Sequence, residues 1–138
     1  MPVILERRYS FSASHLYSRP EWSAEENRAR FGKCANPPGH GHNYRLTIRL
    51  LGEVEPKTGF LVDLPALDAA VDRHVLQHLD HQHVNHAIPD FAPGGKIPSS
   101  EELVTWIADH LAPTLPAGLC LIGVRLEEDV DLAAEWAP

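Results

Sequence analysis

The sequence predicts an α+β fold: an antiparallel four-stranded sheet with two helices on one face, in the order β-β-α-α-β-β. Three observations predict it. Two early segments alternate apolar and polar residues, the middle of the chain carries apolar residues at helical spacing, and alternation returns near the carboxyl end.

From Val3 to His15 the residues Val3, Leu5, Tyr9, Phe11 and Ala13 are apolar, while Glu6, Arg8, Ser10, Ser12 and Ser14 alternate with them. Ile4 and Arg7 break the pattern, which still reads as a strand with one buried face. Tyr44, Leu46, Ile48 and Leu50 alternate with Asn43, Arg45, Thr47 and Arg49, until the turn-rich GEVEPKTG from Gly52 ends a second strand. Leu64, Leu67, Val71, Val75 and Leu79 follow Asp63 at helical spacing. A second helix is expected from about Ser100 to Leu111, with Leu103, Trp106, Ile107 and Leu111 on one side and Ser99 with Glu102 spaced as a capping box. Cys120, Ile122, Val124 and Leu126 share one parity of a third strand, and Leu132 to Trp136 make a short fourth.

At 138 residues the chain is sized for a single domain spanning 1–138, with neither repeat nor linker to divide it. It is 43% hydrophobic and 22% charged, and no apolar run approaches the roughly 20 residues that span a bilayer. Glu6, Arg7 and Arg8 interrupt the first apolar stretch, so the segment does not read as a secretory signal and a cytoplasmic protein is expected. A formal charge of -7 argues against nucleic acid as a partner and favours a small-molecule ligand.

Histidine placement carries the chemistry. His40 and His42 lie two apart at the entry to the second strand, so both imidazoles share a face with Tyr44 and Leu46. His15 ends the first strand on its apolar parity, and antiparallel pairing brings it beside them. Three neutral imidazoles suit zinc with one position left open. The competing reading makes His40 and His42 turn residues of a Gly-Pro-rich loop and His15 a strand terminus.

Cys34 precedes His40 by six residues, and is either a fourth ligand closing a structural site or a nearby nucleophile or base. Cys120 reads as an inert buried thiol. The stretch from His74 to His86 holds five histidines; His74 and His78 have helical metal-pair spacing, but Val75 stands where a metalloprotease motif needs glutamate. Asp80 and His81 form a candidate acid-base pair. Of Glu127 and Glu128 only Glu128 shares the inward parity, where a ligand with two adjacent N–H donors would pair with it; the competing reading is an exposed pair of turn acids. Glu101 is either a pocket residue or a complement to the helix dipole.

Together the segments FSASH, ENRARFGKCANPPGHGHNY, GEVEPKTGFLVDL, LDHQHVN, PSSEEL and VRLEE resemble the 6-pyruvoyl-tetrahydropterin and 6-carboxy-tetrahydropterin synthase family nearly end to end. The resemblance implies zinc on His15, His40 and His42, Cys34 as catalytic base, and Asp80 with His81 as a proton relay. It also implies Glu128 as the pterin anchor, with Ser99, Ser100 and Glu101 lining the same pocket. The implied reaction converts 7,8-dihydroneopterin triphosphate to 6-pyruvoyl-tetrahydropterin by loss of triphosphate or to 6-carboxy-tetrahydropterin by carbon–carbon cleavage. The implied fold is the tunnelling fold, in which sheets of several subunits close a barrel, typically as a homohexamer. The five residues between Cys34 and His40 resemble the pyruvoyl branch; Glu102 and Asp129 depart from the family's usual asparagine and threonine. Two other classes remain in view, a zinc hydrolase and a non-catalytic module with Cys34 completing a structural zinc site.

Overall fold

The computed structural model describes residues 1–138 throughout. Strand β1 (Pro2–His15) pairs antiparallel with β2 (His40–Glu53) over the full length of both, from Pro2 opposite Glu53 to His15 opposite His40. Phe11 and Tyr44 stack across this register with ring centroids 5.0 Å apart, a cross-strand aromatic pair that helps fix it. A slip of one residue would turn the histidines to the opposite face.

The sheet has five strands and is mixed, where the sequence predicts four and antiparallel. Its order is β3-β1-β2-β4-β5, with β4 at Cys120–Glu127 and β5 at Ala133–Trp136. The additional strand β3 is Gln82–His83, parallel to β1 at Ala13 and Ser14. Two residues carry no readable alternation. One chain forms an open sheet edged by β3 and β5, not a closed barrel.

A second departure lies in β4. Arg49 pairs with Gly123 and Leu50 with Leu121, so Ile122 is bulged out and the parity inverts behind it. Val124 and Leu126 are buried as expected, but Leu121 takes the inward place and Cys120 is exposed. Cys120 is therefore not the buried thiol its parity suggests.

Helix α1 (Ala24–Phe31) is additional to the predicted elements, because it is polar almost all round and carries no apolar stripe. Its signal is Ser23, whose hydroxyl accepts from the Glu26 N–H at 3.1 Å as an N-cap. The first predicted helix runs as α2 (Leu64–Val71), a π-helical turn (Asp72–Leu76) and α3 (Gln77–Leu79). Its apolar residues recur every four positions, which on a regular helix drifts about 40° per step. The wider π turn absorbs that drift, so Leu67, Val71, Val75 and Leu79 are all buried. Leu64, included in the predicted stripe, is 38% exposed at the helix start.

After the short α4 (Val84–Ala87), α5 (Ser100–Leu111) lays Leu103, Trp106, Ile107 and Leu111 on the sheet. Ser99 caps it by accepting from the Glu102 N–H at 3.3 Å, while the Glu102 carboxylate lies 3.6 Å from Lys96 rather than closing the box. Both long helical segments pack on one face, giving a single core of 22 buried residues that includes Tyr44, Leu46, Ile48 and Phe91. No helix is long and apolar enough to cross a membrane.

Candidate active site

The β1–β2 register places His15 opposite His40 and Ala13 opposite His42, so all three imidazoles stand at one rim of the core. Gly39 makes the approach possible: its φ is +117°, and a Cβ there would overlap the His15 carbonyl oxygen. The Nε2 atoms of His15 and His40 are 3.2 Å apart. Four tetrahedral bonds of zinc-nitrogen length separate their ligand atoms by roughly 3.3 Å, so this spacing is that of two ligands on one ion.

His15 is wholly buried, and burial lowers its pKa to about 4, with His42 and His40 adding repulsion to a second charge. It is therefore neutral at pH 7, the state that coordinates a metal. Its Nδ1 lies 3.2 Å from the Tyr44 hydroxyl. A metal on Nε2 would leave Nδ1–H to donate to that oxygen, fixing ring and tautomer together.

Glu128 meets this cluster from β4's end. It is only 6% exposed, and its Oε1 lies 2.8 Å from His42 Nε2 and 3.8 Å from His15 Nε2, while Oε2 accepts a hydrogen bond from Ser100 at 2.9 Å. The ligand atoms of His15, His40, His42 and Glu128 all lie within 4.8 Å of one another. Despite its closeness to the carboxylate, His42 Nε2 is buried without a well-aligned hydrogen bond. A desolvated nitrogen left without a partner at the meeting point of two more imidazoles and a carboxylate fits a cation better than it fits a proton.

Cys34 stands in a 3₁₀ turn (Gly32–Ala35) after α1, its Sγ 3.9 Å from His40 Nε2. Burial pushes its thiol pKa up, and Glu128 adds to the effect. Ser99 serves visibly as the α5 cap, Ser100 as the partner of Glu128, and Glu101 is exposed in the first turn of α5.

Asp80 and His81 pair with each other and with β1, and neither meets Cys34 in a hydrogen bond or ion pair. Asp80 Oδ1 accepts from the Ser12 N–H at 3.0 Å and lies 2.9 Å from His81 Nδ1; these hydrogen bonds, the Ser12 one foremost, lower the Asp80 pKa. His81 sits at a left-handed φ of 58° with its ring exposed, on an open cleft of about 370 Å³ that His42 and Asn43 also line.

The remaining histidines do not join the centre. His78 rests edge-on to Trp106 at 5.8 Å, and no third ligand accompanies His74 and His78. His83 and His86 stack at 4.1 Å with nearly parallel planes, a geometry that sends their nitrogens past one another. Sequence reasoning missed Tyr44 as the partner of His15, Glu128's closeness to the imidazoles, and Tyr17, whose ring lies 4.7 Å from that of His15. Only Tyr44 carried a signal, its shared parity with His40 and His42.

Three imidazoles and a carboxylate about one point, with a thiol alongside, define a candidate metalloenzyme centre. The family model described as 6-pyruvoyl tetrahydropterin synthase matches residues 4–137. The 6-pyruvoyl tetrahydrobiopterin synthase of Pongo abelii is 42% identical over 90% of this chain and 83% of that protein. The protein of that name from Homo sapiens is 41% identical over 83% and 78%. The solved 6-pyruvoyl tetrahydropterin synthase of Caenorhabditis elegans superposes with a TM-score of 0.89 at 31% identity, covering 100% of this chain and 96% of that one. A dihydroneopterin monophosphate aldolase of Pyrococcus furiosus is 28% identical over 93% of this chain and 91% of that protein. The chain belongs to the 6-pyruvoyl tetrahydropterin synthase family, whose members are lyases of the pterin synthase type.

Proposed function

We propose that the chain is a zinc-dependent lyase that converts 7,8-dihydroneopterin triphosphate to 6-pyruvoyl-tetrahydropterin, with His15, His40 and His42 holding the metal. The observation that carries this reading is the meeting of three imidazole nitrogens and Glu128 within 4.8 Å, with the Cys34 sulfur 3.9 Å from one of them. A site of neutral imidazoles with an exchangeable fourth position suits catalytic zinc. When bound, zinc would supply the positive charge that polarises hydroxyl oxygens and draws down the pKa of neighbouring acids.

The protein's own groups divide the remaining work. Cys34 as thiolate takes a proton from a side-chain carbon of the substrate. His81, held by Asp80, returns a proton elsewhere along the side chain. Glu128 accepts the two adjacent N–H groups of the pterin ring, with Ser100 orienting its carboxylate and Ser99 and Glu101 at the pocket wall. Loss of triphosphoric acid balances the conversion, because the ring imine gains the two hydrogens that the side-chain carbons lose. No external reductant is needed.

Cys34 and His81 share no direct link in one chain, which supports a site completed between copies. The open sheet edges at β3 and β5 support the same assembly, a homohexamer whose sheets close a barrel. A second reading, carbon–carbon cleavage to 6-carboxy-tetrahydropterin, draws on the likeness to the Pyrococcus furiosus aldolase.

The test is turnover of zinc-loaded protein on 7,8-dihydroneopterin triphosphate with products resolved by mass, beside Cys34→Ala. Triphosphate release with an intact pyruvoyl side chain, lost in Cys34→Ala with zinc retained, is the expected result. A carboxy product with acetaldehyde moves the protein to the second reading. Absence of turnover with zinc bound removes the assigned substrate.

A further inference from the structure

The chain has three tyrosines, and two have hydroxyl partners: Tyr9 donates to Asp68 at 2.7 Å, and Tyr44 lies 3.2 Å from His15 Nδ1. The Tyr17 hydroxyl has no hydrogen-bond partner within the chain. Its ring is nonetheless held. It lies 4.7 Å from the His15 ring and 5.8 Å, edge-on, from Phe31. Its backbone N–H donates to the Cys34 carbonyl at 2.9 Å, so it is tied to the same turn that carries the thiol. The His15 ring against which it packs in turn has its Nε2 3.8 Å from Glu128 Oε1.

A phenol whose ring packs against His15 and Phe31, and whose hydroxyl has no acceptor inside the chain, presents a positioned donor to whatever occupies the site. The ring expected on Glu128 defines what that acceptor is. A carboxylate that takes the N3–H and 2-amino protons of a pterin leaves the 4-oxo oxygen beside N3 unrecognised, and that oxygen can only accept.

We propose that Tyr17 is a substrate-binding residue whose O–H donates to the 4-oxo group of the pterin ring, so that Glu128 and Tyr17 together read a donor-donor-acceptor edge. Glu128 alone would accept any ring with two adjacent N–H donors. Tyr17 makes the pocket select oxygen at position 4. This assignment rests on the pterin reading above and names the residue that gives it ring specificity.

The probe is a pair of rings, pterin and its 4-thioxo analogue, which keeps both N–H donors but replaces the oxygen by sulfur, a weak acceptor. Their dissociation constants are measured by fluorescence titration on zinc-loaded protein and on Tyr17→Phe, with zinc content and melting temperature measured alongside. Wild type is expected to prefer pterin by about 5- to 10-fold, the value of one neutral hydrogen bond, and Tyr17→Phe to lose that preference with zinc content unchanged. Discrimination that survives in Tyr17→Phe, or that wild type never shows while binding both rings, overturns the role of Tyr17 alone. Binding of neither ring by wild type overturns the pterin reading itself.

Discussion

Two segments of this chain are rich in histidine, and only one builds a centre. His15, His40 and His42 come from two strands paired over their whole length, and the register alone brings two of their Nε2 atoms to 3.2 Å. His74, His78, His81, His83 and His86 are closer together in sequence. Yet they end on a π turn, against Trp106, on an exposed turn, and in a parallel stack. Convergence on one point depends on long-range pairing and on desolvation, not on how many imidazoles lie nearby. The first segment has both; the second lies on helix ends and turns, where His81 pairs with Asp80 and His83 with the Pro38 carbonyl instead of with one another.

The largest test of this contrast is metal affinity. Structural zinc sites bind with roughly 10–16 kcal/mol in all, so one ligand is worth about 3–4 kcal/mol. His40→Ala is expected to weaken zinc several hundredfold or more, whereas His74→Ala with His78→Ala leaves it unchanged, as read by competition with a chromophoric chelator. Retention of zinc by His40→Ala would place the ion elsewhere.

Stability against pH sharpens the same comparison in the metal-free protein. The folded pKa of His15 is about 4, below its ordinary value of 6.5, so the unfolded chain binds the extra proton as pH falls. The contribution is intact above pH 6.5 and is lost between 6.5 and 4 at about 1.4 kcal/mol per pH unit, or about 3 kcal/mol in all. Urea unfolding across that range should show this slope, and His15→Gln should remove it. A flat profile in wild type contradicts the burial of a neutral His15.

Backbone fit comes next. Gly39→Ala places a methyl group onto the His15 carbonyl oxygen at a φ of +117°, and about 2–3 kcal/mol of stability should be lost. Gly59→Ala, at a φ of +74° with open space around it, should cost about 1 kcal/mol. Equal losses in chemical denaturation would show that the close approach at Gly39 does not matter. The smallest effect is that of Tyr44→Phe, which removes the oxygen paired with His15 Nδ1 and should weaken zinc about tenfold with little change in fold.

The strands that carry the centre were legible because alternation over 14 residues is a strong pattern, and antiparallel pairing then puts His15 beside His40 without further information. What stayed hidden had weaker or non-local causes. Strand β3 is two residues long, α1 has no apolar stripe, and the bulge at Ile122 inverts the parity that makes Cys120 look buried. At the site, the inward face of Glu128 follows from parity, but its place against His42 depends on where β4 stops relative to β2. Tyr17 lies beyond β1, where no periodicity applies, and only the packed structure brings it over His15.

Zinc held by three imidazoles, with Cys34 free beside it, would leave one coordination position open. X-ray absorption at the zinc edge of the loaded protein separates this site from a closed one, because sulfur and nitrogen ligands differ in both distance and scattering. The expected shell is nitrogen and oxygen near 2.0–2.1 Å with no sulfur. A sulfur at about 2.3 Å would make Cys34 a fourth ligand, close the site, and contradict its role as the base.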